Sequence, residues 1–340
     1  MLNEVKSASG GQKIITKTEI DKLISDLISN YEIIAPVKEE NLILFKTIKK
    51  SEEILWNFAN SLKPAKELFF PPREILFEYS AGGQFIEPGL TKSRIIFGIR
   101  PCDAHSLVIL DKVFDGDYKD SYYLEKREKT ILVGLACENP DKTCFCSSVD
   151  KDGPFSTQGL DILLIKLNSE TYLAEIVTEK GEKLLNAYGK NAGESDIKEK
   201  NKLVQEIRGK IVKGLTVSEN LETIFENDFW AQASRKCIAC GICRYLCATC
   251  HCFSITDEGK ERIKFHAACS FPSFTKEASG TNPREKKVSR YKQWYYHKFS
   301  YHKKNYGEYL CVGCGRCIRN CPVKIDFTEV IKHAKTAQLK

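Results

Sequence analysis

The chain of 340 residues lacks any apolar run long enough to cross a bilayer. RIIFGI at 94–99 and TILVGLA at 130–136 fall far short of the roughly 20 residues that a spanning helix needs, so no membrane association is expected. No G-x-G-x-x-G follows a strand-like segment, and the nearest imitation, Gly313-Cys314-Gly315, lies inside a cysteine run. A Walker lysine motif is also missing. No flavin or NAD(P) site is therefore expected on this chain, and an NAD(P)H-linked reaction would need a second polypeptide. Neither G-x-S-x-G nor H-E-x-x-H occurs, which gives stand-alone hydrolysis no support. The opening MLNEVKSASGGQ has no apolar h-region and no small-residue cleavage site, so a cytoplasmic, reducing setting is expected.

What the chain does have is cysteine, fifteen of them. In a reducing compartment that number points to metal or redox chemistry rather than to disulfides. Eight fall in two runs: Cys237-x2-Cys240-x2-Cys243-x3-Cys247, and Cys311-x2-Cys314-x2-Cys317-x3-Cys321 followed by Pro322. Each has the spacing of half a two-cluster [4Fe–4S] ferredoxin. Three thiolates wrap one cube, while the fourth sulfur points toward the neighbouring cube. Crossed ligation is thus expected: Cys237, Cys240, Cys243 and Cys321 around one cluster, and Cys311, Cys314, Cys317 and Cys247 around the other. Zinc is the competing reading, but it takes four ligands and leaves the regular third and fourth cysteines of each run without a purpose. Gly241 and Gly315 follow the second cysteine of each run, where positive φ lets backbone N–H groups approach the sulfurs.

Seven cysteines lie outside the runs. Cys102 and Cys137 sit at the ends of strand-like segments, and Cys144 and Cys146 form a C-x-C pair in a loop just after. Four thiols suit a third Fe–S cluster in the first domain; zinc and inert buried thiols are the alternatives. Cys250, Cys252 and Cys269 are one ligand short of a complete site. Either they pack beside the cubes or they ligate together with His251, His266, another cysteine or a partner's residue. His105 in CDAHSL is a further histidine that more readily serves structure than ligation.

The formal charge of +7 changes once clusters are counted. Two [4Fe–4S]²⁺ cores with thiolates carry about −2 each, leaving a modest excess of about +3. Nucleic acid is not an expected partner at that balance. Basic residues do gather at Arg284, Lys286, Lys287, Arg290, Lys292, Lys298, Lys303 and Lys304, interleaved with Tyr291, Trp294, Tyr295, Tyr296 and Tyr301. Packing against the clusters, a docking face for a partner subunit, and a nucleic-acid surface are the three readings of this segment, the first favoured by its place between the runs.

Periodicity predicts a helix over 17–30 and strands at 31–37, 41–48, ELFFPP, EILFEY, SRIIFGIR and KTILVGLA. A helix is expected at 103–114, a hairpin over 159–177 and a short helix at about 180–189. The fold class expected is α+β: an N-terminal mixed α/β domain at 1–190, a helical linker at 191–230, and a helical ferredoxin-like dicluster domain at 231–340. The 63 residues between Cys247 and Cys311 favour a helical dicluster domain with a large insertion over a small ferredoxin.

RPCDAHSLVILDKVF, CFCSS, CIACGICRYLCATCHCF, ASGTNPR and CVGCGRCIRNCPV together resemble one iron–sulfur subunit family, which includes the β subunit of cytoplasmic sulfhydrogenases and the iron–sulfur electron-transfer component of anaerobic sulfite reductase. The similarity spans nearly the whole chain. It implies an electron relay, itself non-catalytic, between a flavin partner handling NAD(P)H and a catalytic partner of [NiFe] hydrogenase, sirohaem sulfite reductase or heterodisulfide-reductase type. The ligand role of the eight run cysteines carries over, and Cys102, Cys137, Cys144 and Cys146 match the family pattern too. One departure is Ala248, where the family has proline after the fourth cysteine of the first run; the local path is less constrained without it. Two rivals remain: a chain that itself reduces polysulfide or sulfite at an open Cys250, Cys252, Cys269 site, and a nucleic-acid-binding protein with structural clusters.

Overall fold

The computed structural model describes residues 10–80, 82–89, 92–211, 215–217 and 220–338. Its contacts divide the chain into two units, and neither follows one stretch of sequence. The first takes the residues up to Phe69, Gly89–Lys142 and Asp150–Ile211; the second takes Phe70–Pro88, Thr143–Val149 and everything after Ile211. The expected division at 1–190, 191–230 and 231–340 runs straight along the chain, whereas strand pairing draws Phe70–Pro88 away to join residues almost 200 positions later.

The first unit is built on one mixed sheet. Its strands run in the order Lys190–Asn191, Gln12–Thr16, Thr171–Ile176, Ile162–Lys166, Thr130–Leu135, Arg94–Ile99, Glu32–Glu39 and Leu42–Thr47. The four strands from Ile162–Lys166 to Glu32–Glu39 are parallel, and antiparallel pairs extend both edges. Arg94–Ile99 is buried along its whole length, as a central parallel strand covered on both faces must be. Ile20, Leu23 and Ile24 of the helix Lys17–Leu27 pack on Ile33, Ile95, Val133 and Ile162. That helix starts at a capping box between Thr16 and Glu19. Pro101–Phe114 forms the expected helix, opened by proline at its first position. Gly159 permits a close approach to it: a Cβ there would stand 2.6 Å from the Ala104 carbonyl.

Three local expectations need correction. ELFFPP is not a strand; Ala65–Leu68 is a short 3₁₀ turn, because Pro71 and Pro72 supply no N–H for a ladder. The helix expected at 180–189 ends at Leu184, well ahead of Gly189, whose φ is +68°. The charged stretch after 190 is helical at Glu194–Arg208 and Phe229–Ser234, with a 3₁₀ turn at Leu221–Ile224 between them.

The second unit contains short helices and a four-stranded sheet ordered Phe253–Glu258, Glu261–His266, Arg73–Tyr79 and Phe85–Ile86. The insertion between the cysteine runs thus opens with a hairpin, turned at Gly259 with φ +59°. A buried ion pair, Lys264 Nζ to Glu74 at 2.7 Å, ties that hairpin to Arg73–Tyr79. The core of this unit is aromatic: Trp230, Tyr291, Trp294, Tyr295, Tyr296, Phe299 and Phe327, with Phe145 joining them. Mixed helix and strand throughout make the fold α+β. Among the described residues, no helix is long and apolar enough to cross a membrane.

Candidate metal centre

The two cysteine runs fold alike. In each, the backbone takes positive φ on both sides of the second cysteine: Ala239 (+56°) and Gly241 (+81°), then Gly313 (+61°) and Gly315 (+72°). Each curl runs into a single helical turn, Ile242–Tyr245 or Arg316–Arg319. Gly241 and Gly315 behave as expected. The second positive-φ position in each run was not anticipated, and alanine holds it in the first. The Ala239 N–H points at Cys237 Sγ at 3.4 Å, and Ile325 N–H at Cys321 Sγ at 3.3 Å.

A cavity of about 480 Å³, counted out to its solvent mouth, is lined by Cys237, Cys240 and Cys243 from the first run and by Cys321 and Cys317 from the second. Trp294, Phe327 and Pro322 are among its apolar walls. Cys311, Cys314, Cys317 and Cys247 influence one another in a neighbouring group. Burial pushes the Cys311 thiol up to about 12, with Cys247 and Cys314 adding to it against the pull of Lys298. Cys317 is likewise raised by burial first, then by Cys314, Cys311, Cys247 and Cys243. Uncoordinated thiols so placed resist ionisation.

Buried cations oppose that tendency. Arg244, 3% exposed, donates to Cys243 Sγ at 2.7 Å and lies over the Trp294 ring at 4.4 Å. Lys298, 2% exposed, donates to Cys247 Sγ at 3.1 Å; burial works against its charge, but Cys247, Cys250 and Cys311 outweigh burial and raise its pKa. A buried ammonium facing neutral thiols would have no counter-charge, and the thiolates of a cluster supply one. The donor set therefore fits [4Fe–4S] cubes: soft sulfur ligands, N–H groups aimed at sulfur, and positive charge in an apolar shell. Among the described residues, no group of three or more His, Cys, Asp or Glu could hold a metal ion directly. The two observations are compatible, since thiolates around a cube bind separate irons, unlike the tetrahedral closure that zinc requires.

Sequence reasoning did not single out Arg244 or Lys298 as sulfur donors. For Arg244 the signal was present, a cation directly after a ligand cysteine. For Lys298 it lay hidden within a basic segment that the structure uses unevenly. Tyr291, Trp294, Tyr295 and Tyr296 are buried in the core, where they cannot stack on bases. Arg290 is also buried, donating to the carbonyls of Ser270 (2.8 Å), Arg284 (2.9 Å) and Glu285 to hold the ASGTNPR loop.

The four cysteines expected to form a site in the first domain are divided between the units. Cys144 and Cys146 belong to the second, where residues 143–146 lie on the second cysteine run. Phe145 N–H donates to Gly313 O at 2.8 Å, Cys144 Sγ approaches Cys314 O at 3.7 Å, and Thr143 Oγ1 donates to Gly315 O at 3.4 Å. Gly313 is required there, since a Cβ would stand 2.6 Å from the Cys146 backbone. Cys102 and Cys137 belong to the first unit, where both attract the fully buried Arg100. That guanidinium donates to the carbonyls of Leu135 (3.0 Å), Ala136 (2.6 Å) and Phe58, while its Nε has no partner among the described residues. Burial raises the Cys137 thiol, with Arg100 pulling the other way.

Cys252 and Cys269 are hydrogen-bonded, and that bond, reinforced by Arg244 against the effect of burial, draws the Cys269 thiol down to about 6. The structure thus gathers part of the remaining trio beside the first run. Cys250 is near enough to Lys298 to raise its pKa. The three histidines weighed as ligands have backbone or carboxylate partners: His251 Nδ1 with Thr249 O at 3.0 Å, His266 Nε2 with Phe70 O at 3.0 Å, and His105 with Asp150 at 3.3 Å.

A family model described as a 4Fe-4S dicluster domain matches residues 236–325. The chain is also 28% identical over 316 residues to sulfhydrogenase 2 subunit beta of Pyrococcus furiosus, covering 89% of this chain and 92% of that one. No solved structure matches. With the paired runs, the N–H and cationic donors on their sulfurs, and a dicluster match over both runs, the chain carries a 4Fe-4S dicluster domain and is similar along almost its whole length to a sulfhydrogenase beta subunit.

Proposed function

We propose that this protein relays single electrons through two [4Fe–4S] clusters between a flavin partner that handles NAD(P)H and a catalytic redox partner of hydrogenase, sulfite reductase or heterodisulfide reductase type. The observation that carries the reading is the cavity lined by Cys237, Cys240, Cys243 and Cys321, the set that crossed ligation requires. Cys311, Cys314, Cys317 and Cys247 hold the second cluster. When bound, the clusters supply reversible one-electron chemistry. The chain's own residues hold them at fixed separation, exclude water with Trp294 and Phe327, and place N–H and cationic donors on sulfur. The name of the Pyrococcus relative, a subunit beta, favours work within a multi-subunit complex.

The test is anaerobic reconstitution of the full chain with iron and sulfide. The expected product takes up at least two clusters, accepts electrons from an artificial donor, and neither oxidises NAD(P)H nor reduces sulfite or polysulfide alone. Reduction of sulfite or polysulfide by the isolated chain would replace the relay with the reductase reading.

A further inference from the structure

Lys298 is 2% exposed, and among the described residues no carboxylate forms an ion pair with it. It sits in a π-helical turn, His297–Tyr301, spliced between the helices Lys287–Tyr296 and His302–Tyr306. Such a turn inserts one residue into an α-helix and re-aims the side chains around it, and it recurs at functional sites. Phe299 in the same turn stacks on Phe327 at 5.6 Å, which fixes the turn against the aromatic core. An ammonium has three N–H donors, and here each has an acceptor: Cys247 Sγ at 3.1 Å, Thr249 Oγ1 at 3.3 Å and Leu310 O at 3.0 Å. Thr249 in turn donates its hydroxyl proton to Leu310 O at 2.8 Å, leaving its lone pairs for Lys298. Both Thr249 and Leu310 are buried. The lysine is therefore held as a cation with its charge on one particular cysteine.

We propose that Lys298 is a positioning residue that sets the reduction potential of the cluster held by Cys247, raising it through the N–H···S contact and thereby fixing the order in which the two clusters take electrons. This rests on the crossed two-cluster reading above. Reducing a [4Fe–4S]²⁺ centre with four thiolates adds one electron and takes its charge from about −2 to about −3. A fixed positive charge and a hydrogen bond at the sulfur both stabilise the more negative form, so they raise the potential. In a buried setting that charge is little screened by water or salt. Arg244 donates to Cys243 Sγ, which crossed ligation assigns to the other cluster. Each cluster thus has its own cation, and a change at Lys298 acts on one of them.

The experiment is a redox titration of the reconstituted full chain, followed by electron paramagnetic resonance, for the wild type, Lys298→Met and Lys298→Gln. Methionine keeps the unbranched stem without charge or donor; glutamine keeps a neutral donor. The expected result is that one midpoint potential falls in Lys298→Met while the other stays put, with a smaller fall in Lys298→Gln. Unchanged potentials in iron-replete Lys298→Met would overturn the proposal, as would equal shifts of both clusters. If Lys298→Met fails to hold iron, Lys298→Gln decides by the same criterion, and loss of iron from both variants would assign Lys298 to the fold alone and overturn the proposal. Failure of the two-cluster reading would instead be visible in the wild type, as the absence of two separately titrating clusters.

Discussion

Crossed ligation makes a prediction that a pair of independent cysteine-run sites does not. Cys321 lies 84 residues after Cys237, yet it lines the same cavity as Cys237, Cys240 and Cys243. Cys321→Ser and Cys240→Ser should therefore damage the same cluster. Each is expected to remove or convert one cube, a loss of up to about four irons from the roughly eight in the two runs, and to leave the other cube's spectrum intact. Cys314→Ser and Cys247→Ser should form the complementary pair. Local collapse should be limited, because the cavity wall around Cys321 is Trp294, Phe327 and Ile325, packed into the aromatic core rather than hung on the metal. The assay is iron quantification together with the low-temperature resonance spectrum of each reduced variant. If Cys321→Ser reproduced the spectrum of Cys314→Ser instead of that of Cys240→Ser, the cubes would be ligated run by run and the crossed assignment would be refuted.

Gly313→Ala should destabilise the cover of the second run, by about 1–2 kcal/mol for left-handed backbone and about 1–3 for overpacking against Cys146, read as faster iron loss to a chelator. Ala239→Gly, at the matching place in the first run, should show no such loss. Asp150 gives a pH dependence: burial alone would raise its pKa, but the bond from His105 and those from Asp152 and Ser156 outweigh it and hold the carboxyl below its ordinary value. A depressed folded pKa means stability fully present above the ordinary carboxylate range, near pH 4, and lost as pH falls through the lower folded value. Asp150→Asn should flatten that acid limb in denaturation curves; an unchanged limb would count against the His105–Asp150 contact.

Much of the site was legible in the residues alone because its chemistry is local. Three thiols at two-residue spacing and a glycine after the second specify a curl around a cube whatever surrounds it. The parallel strands announced themselves by continuous apolar runs, and the helix Pro101–Phe114 by its period. ELFFPP misled because its hydrophobicity is that of a strand while its prolines cannot join a ladder. The hairpin Phe253–His266 escaped notice because FSITDE and ERIKFH are mostly polar and owe their pairing to Arg73–Tyr79. No local pattern marks such a partner.

The sequence by itself carried the α+β class, the dicluster motif and the resemblance to iron–sulfur subunits, since each depends on residue type and short spacing. The tertiary structure decided what surrounds those ligands. It placed Cys321 with the first run, laid Thr143–Cys146 over the second, and turned one lysine of a basic segment inward onto Cys247. These are contacts between residues tens to hundreds of positions apart, fixed by the packing of an aromatic core and the burial of charge, and neither leaves a periodic trace in the chain.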